Sequence, residues 1–98
     1  MYTVLILFGE PVDPAAFARH VEESHRPLLD GLPGADAVAL KWVAGRLAGE
    51  MAVHLVIEIS FASEAALQDS LNSPAGQDMA RDYANFASGG VTVLASVG

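Results

Sequence analysis

Apolar and polar positions along this chain follow two different periods, and the order in which they alternate sets an architecture. Tyr2 to Phe8 is a continuous apolar, strand-favouring run, the pattern of a β-strand buried on both faces. Gly9 to Val12 connects it to a helix that opens with Asp13, a good N-cap, and Pro14, suited to the first helical position where a missing N–H costs nothing. Phe17, Val21 and Leu28 then recur at helical spacing, so one face of this segment must be covered. Pro27 lacks a backbone donor and is expected to stop or bend the helix just after His25. Leu32-Pro33-Gly34 is a turn signal.

The period then returns to two. Ala37 to Val43 reads as a second strand, with Val38, Leu40 and Trp42 on one side and Ala39, Lys41 and Val43 on the other. A hairpin-like loop around Gly45–Gly49 leads to a third strand, Val53 to Phe61. Its odd positions Leu55, Ile57, Ile59 and Phe61 form an unbroken apolar row, and its even positions are mixed. Ser63 can cap a helix carrying Leu67 and Leu71, Asn72-Ser73-Pro74 breaks it, and Ser73 with Pro74 can start another. Met79, Tyr83 and Phe86 share one face of that last helix, and Gly89-Gly90 precedes a final strand, Val91 to Val97.

The order β–α–β–β–α–β is the ferredoxin-like split arrangement, an α+β fold with a four-stranded antiparallel sheet covered by helices on one face. Residues 1–98 make a single domain, and no linker, repeat or low-complexity tract interrupts them. At 98 residues the interior is small, yet 52% of the residues are hydrophobic and the mean hydropathy is +0.36. Val4, Leu5, Ile6 and Leu7 give the first strand aliphatics on both faces, so the open sheet face is expected to meet a second copy in a homodimer. No run approaches the roughly 20 apolar residues of a membrane span.

Charge and cysteine content narrow the classes further. Five Lys and Arg against twelve Asp and Glu give a formal charge of −7, which disfavours nucleic acid and anionic membrane surfaces as partners. With no cysteine there is no disulfide framework and no thiolate nucleophile, which fits a cytoplasmic setting, as does a start without a basic leader region. No P-loop, dinucleotide fingerprint or nucleophile elbow is present, and no cofactor is expected.

His25 is the leading candidate for chemistry. At roughly 100° per residue it falls about 60° to one side of the apolar stripe, and His20 falls about 80° to the other. A histidine beside a helix break over an apolar cavity can exchange a proton near neutral pH. The two histidines are about 140° apart on a regular helix, which argues against a shared metal. Tyr83 is a possible assistant, since a buried phenol needs a polar partner, and Trp42 and Phe61 are candidate pocket walls. His54, Glu58 and Lys41 are placed on the sheet face that meets the partner, with Lys41 and Glu58 as an ion pair.

Four segments carry a family resemblance: His25-Arg26-Pro27-Leu28-Leu29, Leu32-Pro33-Gly34, Leu71-Asn72-Ser73-Pro74-Ala75-Gly76-Gln77, and Asn85-Phe86-Ala87-Ser88-Gly89-Gly90-Val91-Thr92. Together they resemble the EthD family, small dimeric α/β-barrel proteins named after ethyl tert-butyl ether degradation. The resemblance implies the same fold and homodimer, and it maps the family's histidine onto His25 and its proline onto Pro27. In fold such proteins are similar to muconolactone isomerases, polyketide cyclases and cofactor-independent monooxygenases. The implied function is binding of a small hydrophobic carbonyl, lactone or phenolic compound in catabolism, with or without turnover. The resemblance carries over no further catalytic set; on the reading of the residues, His25, Trp42, Phe61 and Tyr83 would line the site, and His25 (with Tyr83) would act on the substrate. A non-catalytic accessory protein and a purely structural interaction domain are the competing readings. A pH–rate profile separates the first of these from an enzyme, and an open polar-edged cavity separates both from the second.

Overall fold

A computed structural model describes residues 1–98. Strand β1 (Tyr2–Gly9) leads through helix α1 (Pro14–His20), a π-helical turn (Val21–His25) and helix α2 (Arg26–Asp30) to β2 (Ala37–Trp42) and β3 (Val53–Phe61). Helices α3 (Glu64–Asn72) and α4 (Pro74–Phe86) and strand β4 (Val91–Val97) complete the chain. All pairings are antiparallel, in the order β2-β3-β1-β4. This is the ferredoxin-like arrangement expected from the element order.

The helices begin where their caps dictate. Asp13 accepts from the Ala16 N–H at 3.1 Å, and Ser63 from the Ala66 N–H at 3.1 Å. Ser73 accepts from the Gly76 N–H at 3.1 Å while its own hydroxyl donates to the Ser70 carbonyl at 2.6 Å, so one residue closes α3 and opens α4. The chain turns so sharply there that a Cβ at Gly76 would collide with the carbonyl oxygens of Ser70 and Leu71.

Pro27 does not stop the first helical segment. The helix widens before it, and the Arg26 N–H donates to the Val21 carbonyl five residues back. Pro27 has no N–H for the next regular bond and its ring would crowd the carbonyl of Glu23. Widening accommodates it, and α2 then restarts with Pro27 in its first turn, running on to Asp30.

One sheet face makes the core. Val4, Ile6 and Phe8 of β1 and Leu55, Ile57, Ile59 and Phe61 of β3 are at most 1% exposed. They pack against Phe17, Val21, Leu29, Leu67, Met79 and Phe86 from the helices. Each such side chain contributes about 1.5–3 kcal/mol by leaving water. The opposite face is bare within a single chain. Leu5 and Leu7 are therefore half-buried rather than enclosed, and Leu94 is 47% exposed. Leu5 pairs with Leu94 on one side and Glu58 on the other. Lys41 Nζ meets Glu58 Oε2 at 2.9 Å on this face, as expected.

His54 departs from its expected place. The β1–β3 register slips between Phe8 and Gly9, so Phe8 faces Leu55 and Gly9 faces Val53, leaving His54 as the extra residue of a β-bulge. The bulge turns its ring to the helix side, edge-on to Phe17 at 5.3 Å and to Trp42 at 5.8 Å. It therefore does not join Lys41 and Glu58 on the bare face.

Candidate functional site

A carboxylate lies in the apolar stripe of α4. Met79, Asp82, Tyr83 and Phe86 follow the spacing of one helical face, so a charged side chain is carried into the core with three hydrophobic neighbours. Such a group is retained only if it is paired and hydrogen-bonded. Asp82, 8% exposed, is paired with three donors. The Nδ1–H of His25 reaches Oδ2 at 2.8 Å, the Nε2–H of His20 reaches the two oxygens at 2.9 and 3.0 Å, and Asn85 Nδ2 donates to Oδ1 at 2.9 Å.

The π-helical turn makes this convergence geometrically available. On a regular helix His20 and His25 would point about 140° apart. Bonding to the fifth residue brings residues five apart toward one side, and both rings arrive at the same oxygen. His25 is consequently not at a rim: it is fully buried.

The electrostatics fix the protons. Burial raises the Asp82 pKa, but its hydrogen bonds to Asn85, His20 and His25 outweigh that and hold it below the ordinary carboxylate value. An ionised carboxylate only accepts, so the histidine nitrogens that face it carry hydrogens. Burial, opposed by the bond to Asp82, lowers the His25 pKa below its ordinary value, and the ring is neutral near pH 7. A neutral ring protonated at Nδ1 has a bare Nε2, and that atom is buried with no hydrogen-bond partner.

Tyr83 stands beside it. Its ring tilts against His25 at 5.6 Å and meets Phe8 edge-on at 5.8 Å. Its hydroxyl is also buried without a partner, and burial pushes its pKa up to about 12, so it stays protonated.

A cleft of about 390 Å³ opens between the start of α1 and the end of α4, lined among others by Val12, Ala16, Phe17, His20, Asn85 and Phe86. That volume suits a small ligand in a largely apolar setting. The cleft touches the polar cluster at His20 and Asn85. Phe86 forms the partition: its ring stacks on His20 at 4.8 Å and 20° and leans on His25 at 4.8 Å and 53°.

Of the four residues expected to line a site, His25 and Tyr83 come together, one layer behind the cleft wall. Trp42 lies on the far side of Phe17, ring to ring at 6.0 Å, and is 42% exposed. Phe61 lies at the other end of β3, paired with Tyr2 and wholly in the core. Asp82, Asn85 and the part played by His20 were missed by sequence reasoning. The available signal was Asp82 itself, an acidic residue between Met79 and Tyr83 on an otherwise apolar stripe.

The fold and this cluster define an α+β ferredoxin-like domain with a buried His–Asp–His hydrogen-bond chain at the edge of a small-molecule-sized cleft. The chain belongs to the EthD family, whose EthD domain it matches over residues 9–90. It is 37% identical over 94 residues, 96% of this chain and 91% of the other, to an uncharacterized 11.0 kDa protein in the thcB-thcC intergenic region of Rhodococcus erythropolis. An EthD family protein from Bacillus halodurans superposes with a TM-score of 0.92 at 24% identity, over 100% of this chain and 98% of that one. A dimeric ferredoxin-like protein of unknown function from Jannaschia shares the fold with a TM-score of 0.74 at 20% identity, covering 100% of both chains. Hydroxynitrile lyase from Passiflora edulis does so with a TM-score of 0.75 at 15% identity, over 99% of this chain and 93% of that one.

Proposed function

We propose that this EthD protein binds a small hydrophobic molecule bearing a carbonyl, lactone or phenolic oxygen and shifts a proton on it without a cofactor. The observation that carries the proposal is that one buried carboxylate joins a cleft-lining histidine, His20, to a fully buried one, His25. A carboxylate behind an imidazole fixes its tautomer and stabilises the imidazolium formed when the ring takes a proton. His25, with a bare Nε2 and Asp82 behind Nδ1, is the base, and Tyr83 supplies a hydrogen bond to the oxygen on which charge develops. Asp82 is a positioning residue. His20 Nε2 is committed to Asp82, and its Nδ1 makes no hydrogen bond within the fold, leaving it to meet a ligand in the cleft.

The working unit we propose is a homodimer closed through the bare sheet face. Leu5, Leu7, Val56 and Leu94 leave that face too apolar for water, and a structural neighbour of the same fold is itself dimeric. No helix is long and apolar enough to cross a membrane.

The complete burial of His25 favours a second reading, a binding protein of a degradation pathway that uses the cleft without turnover. Deuterium wash-in separates the two. Ketones, lactones and phenols are incubated with protein in D2O, and exchange of the carbon-bound hydrogens activated by their oxygen is followed by NMR. Exchange that Asp82→Asn abolishes supports the enzyme. Binding without exchange supports the accessory protein, and no binding removes both.

A further inference from the structure

We infer that the buried His25 Nε2 and Tyr83 hydroxyl together form a subsite for a ligand hydroxyl, that of a phenol or an enol, behind Phe86. This deepens the proposed function and rests on it, because it names which oxygen the site selects.

The inference comes from a mismatch between burial and bonding. Two polar atoms on adjacent rings are shut off from water, and neither has a hydrogen-bond partner. Leaving a buried polar group unpaired is costly enough that native proteins seldom do so without a water, an ion or a ligand to complete it. The two orphans are complementary in what they need. His25 gives its only hydrogen to Asp82, so Nε2 can only accept. Tyr83 keeps its proton and can donate. Phe8 forms the apolar wall against both rings.

One oxygen type satisfies both atoms. A hydroxyl donates to Nε2 while it accepts from Tyr83. A ketone or lactone carbonyl accepts from Tyr83 but leaves Nε2 unpaired, and an ether does the same. Sites built to bond a hydroxyl reject analogues lacking it far more strongly than apolar pockets discriminate by size. The proton transfer balances within the pair: the ligand O–H bond breaks, an Nε2–H bond forms, and the resulting oxyanion keeps the Tyr83 hydrogen bond while Asp82 faces the new imidazolium.

The path to this subsite runs past Phe86, whose ring separates His25 from the cleft and touches both histidines. Phe86 is the last residue of α4, just before Ser88-Gly89-Gly90. A shift of one terminal ring would join the cleft to the buried pair.

The test compares three para-substituted toluenes of similar size, para-cresol, para-methylanisole and para-tolualdehyde, by calorimetry and by nitrogen NMR of the histidine rings. Para-cresol is expected to bind about tenfold or more tighter than either analogue and to move the Nε2 resonance of His25. Tyr83→Phe, which keeps the ring, is expected to weaken all three probes and leave the preference in place, because Nε2 carries it, whereas Asp82→Asn, which lets the His25 hydrogen move to Nε2, is expected to erase it. Should that variant fail to fold, the Nε2 resonance in the wild-type protein still decides. Equal affinities for the three probes, or para-cresol binding that leaves Nε2 unmoved, overturn the inference while the cleft reading survives if His20→Ala abolishes that binding. An Nε2 already hydrogen-bonded in the free protein and unaltered by para-cresol assigns the pair to a resident water and also overturns it. Binding of none of the probes, nor of the ketones and lactones, overturns both this and the proposed function.

Discussion

His20 and His25, five residues apart on one helical segment, hydrogen-bond the same oxygen of Asp82 at 2.9 and 2.8 Å. The contact depends on a widened turn that lets residues five apart face one way, and on a carboxylate delivered from the opposite helix. Removing the carboxylate tests how much rests on it. Asp82→Ala leaves the His25 Nδ1–H buried and unpaired and is expected to lower stability by about 3 kcal/mol. In a domain this size that corresponds to a fall of roughly 12–24 °C in Tm. Asp82→Asn should cost less, because an amide oxygen still accepts one hydrogen bond, yet it allows His25 to carry its hydrogen on Nε2 instead. Calorimetry measures the first effect and histidine nitrogen NMR the tautomer change.

Stability should fall with acid, and the sign follows from the direction of both shifts. His25 has a lower pKa folded than its ordinary value of 6.5, so below that pH the unfolded chain takes up the proton first. Its contribution is complete above about pH 6.5 and is lost as pH drops through the folded value. Asp82, lowered from 3.8, adds a second loss in the same direction at more acidic pH. The charged and titratable groups facing His25 are Asp82, His20 and Tyr83. Urea midpoints measured from pH 7 to pH 5 should therefore decline, and His25→Gln should flatten the decline. An unchanged slope in that variant would assign the acid sensitivity elsewhere.

The parts of this molecule written as period and punctuation were legible in the sequence. The apolar row from Leu55 to Phe61 became the buried face of β3, and Asp13, Ser63 and Ser73 became the caps. What escaped lay where a local irregularity changed direction. A wheel of uniform 100° steps separated His20 from His25, because nothing in Val21–His25 announces a π-helical turn except the proline beyond it. An alternating strand placed His54 with Glu58, because a one-residue bulge leaves no mark in composition. Phe61 was recognisable as core but not as distant from the site, since position along a sheet is set by register. Asp82 was legible in principle, as a charge on a buried stripe.

The bare sheet face yields a prediction about assembly. Leu5 and Leu94 are direct cross-strand partners on it, and Leu94, on the edge strand β4, stands 47% exposed in the single chain. If two copies pack these faces together, Leu94→Asp places two uncompensated charges in an apolar interface. The wild-type protein is expected to sediment as a dimer and Leu94→Asp as a monomer. Ser96→Asp, on the same strand face but opposite the polar Thr3, should perturb the equilibrium less. A wild-type monomer at micromolar concentration would remove the dimer from the proposal.

Phe86 offers the sharpest separation of access from affinity. The ring is 8% exposed, packs against Phe8, Phe17, His20 and His25, and stands between the cleft and the His25–Tyr83 pair. Phe86→Leu keeps an apolar side chain there and should cost about 1.5 kcal/mol of stability. It removes the flat ring stacked on His20 and thins the partition. If para-cresol must pass this point, its association rate, followed by stopped-flow fluorescence of Trp42 across Phe17, should rise several-fold in Phe86→Leu. The dissociation rate should rise with it, because the ring bars exit as well as entry, so the equilibrium constant moves less than either rate. A change in affinity with no change in association rate would instead make Phe86 a contact of the bound ligand, and the way to His25 would have to be sought through the helix layer at α2.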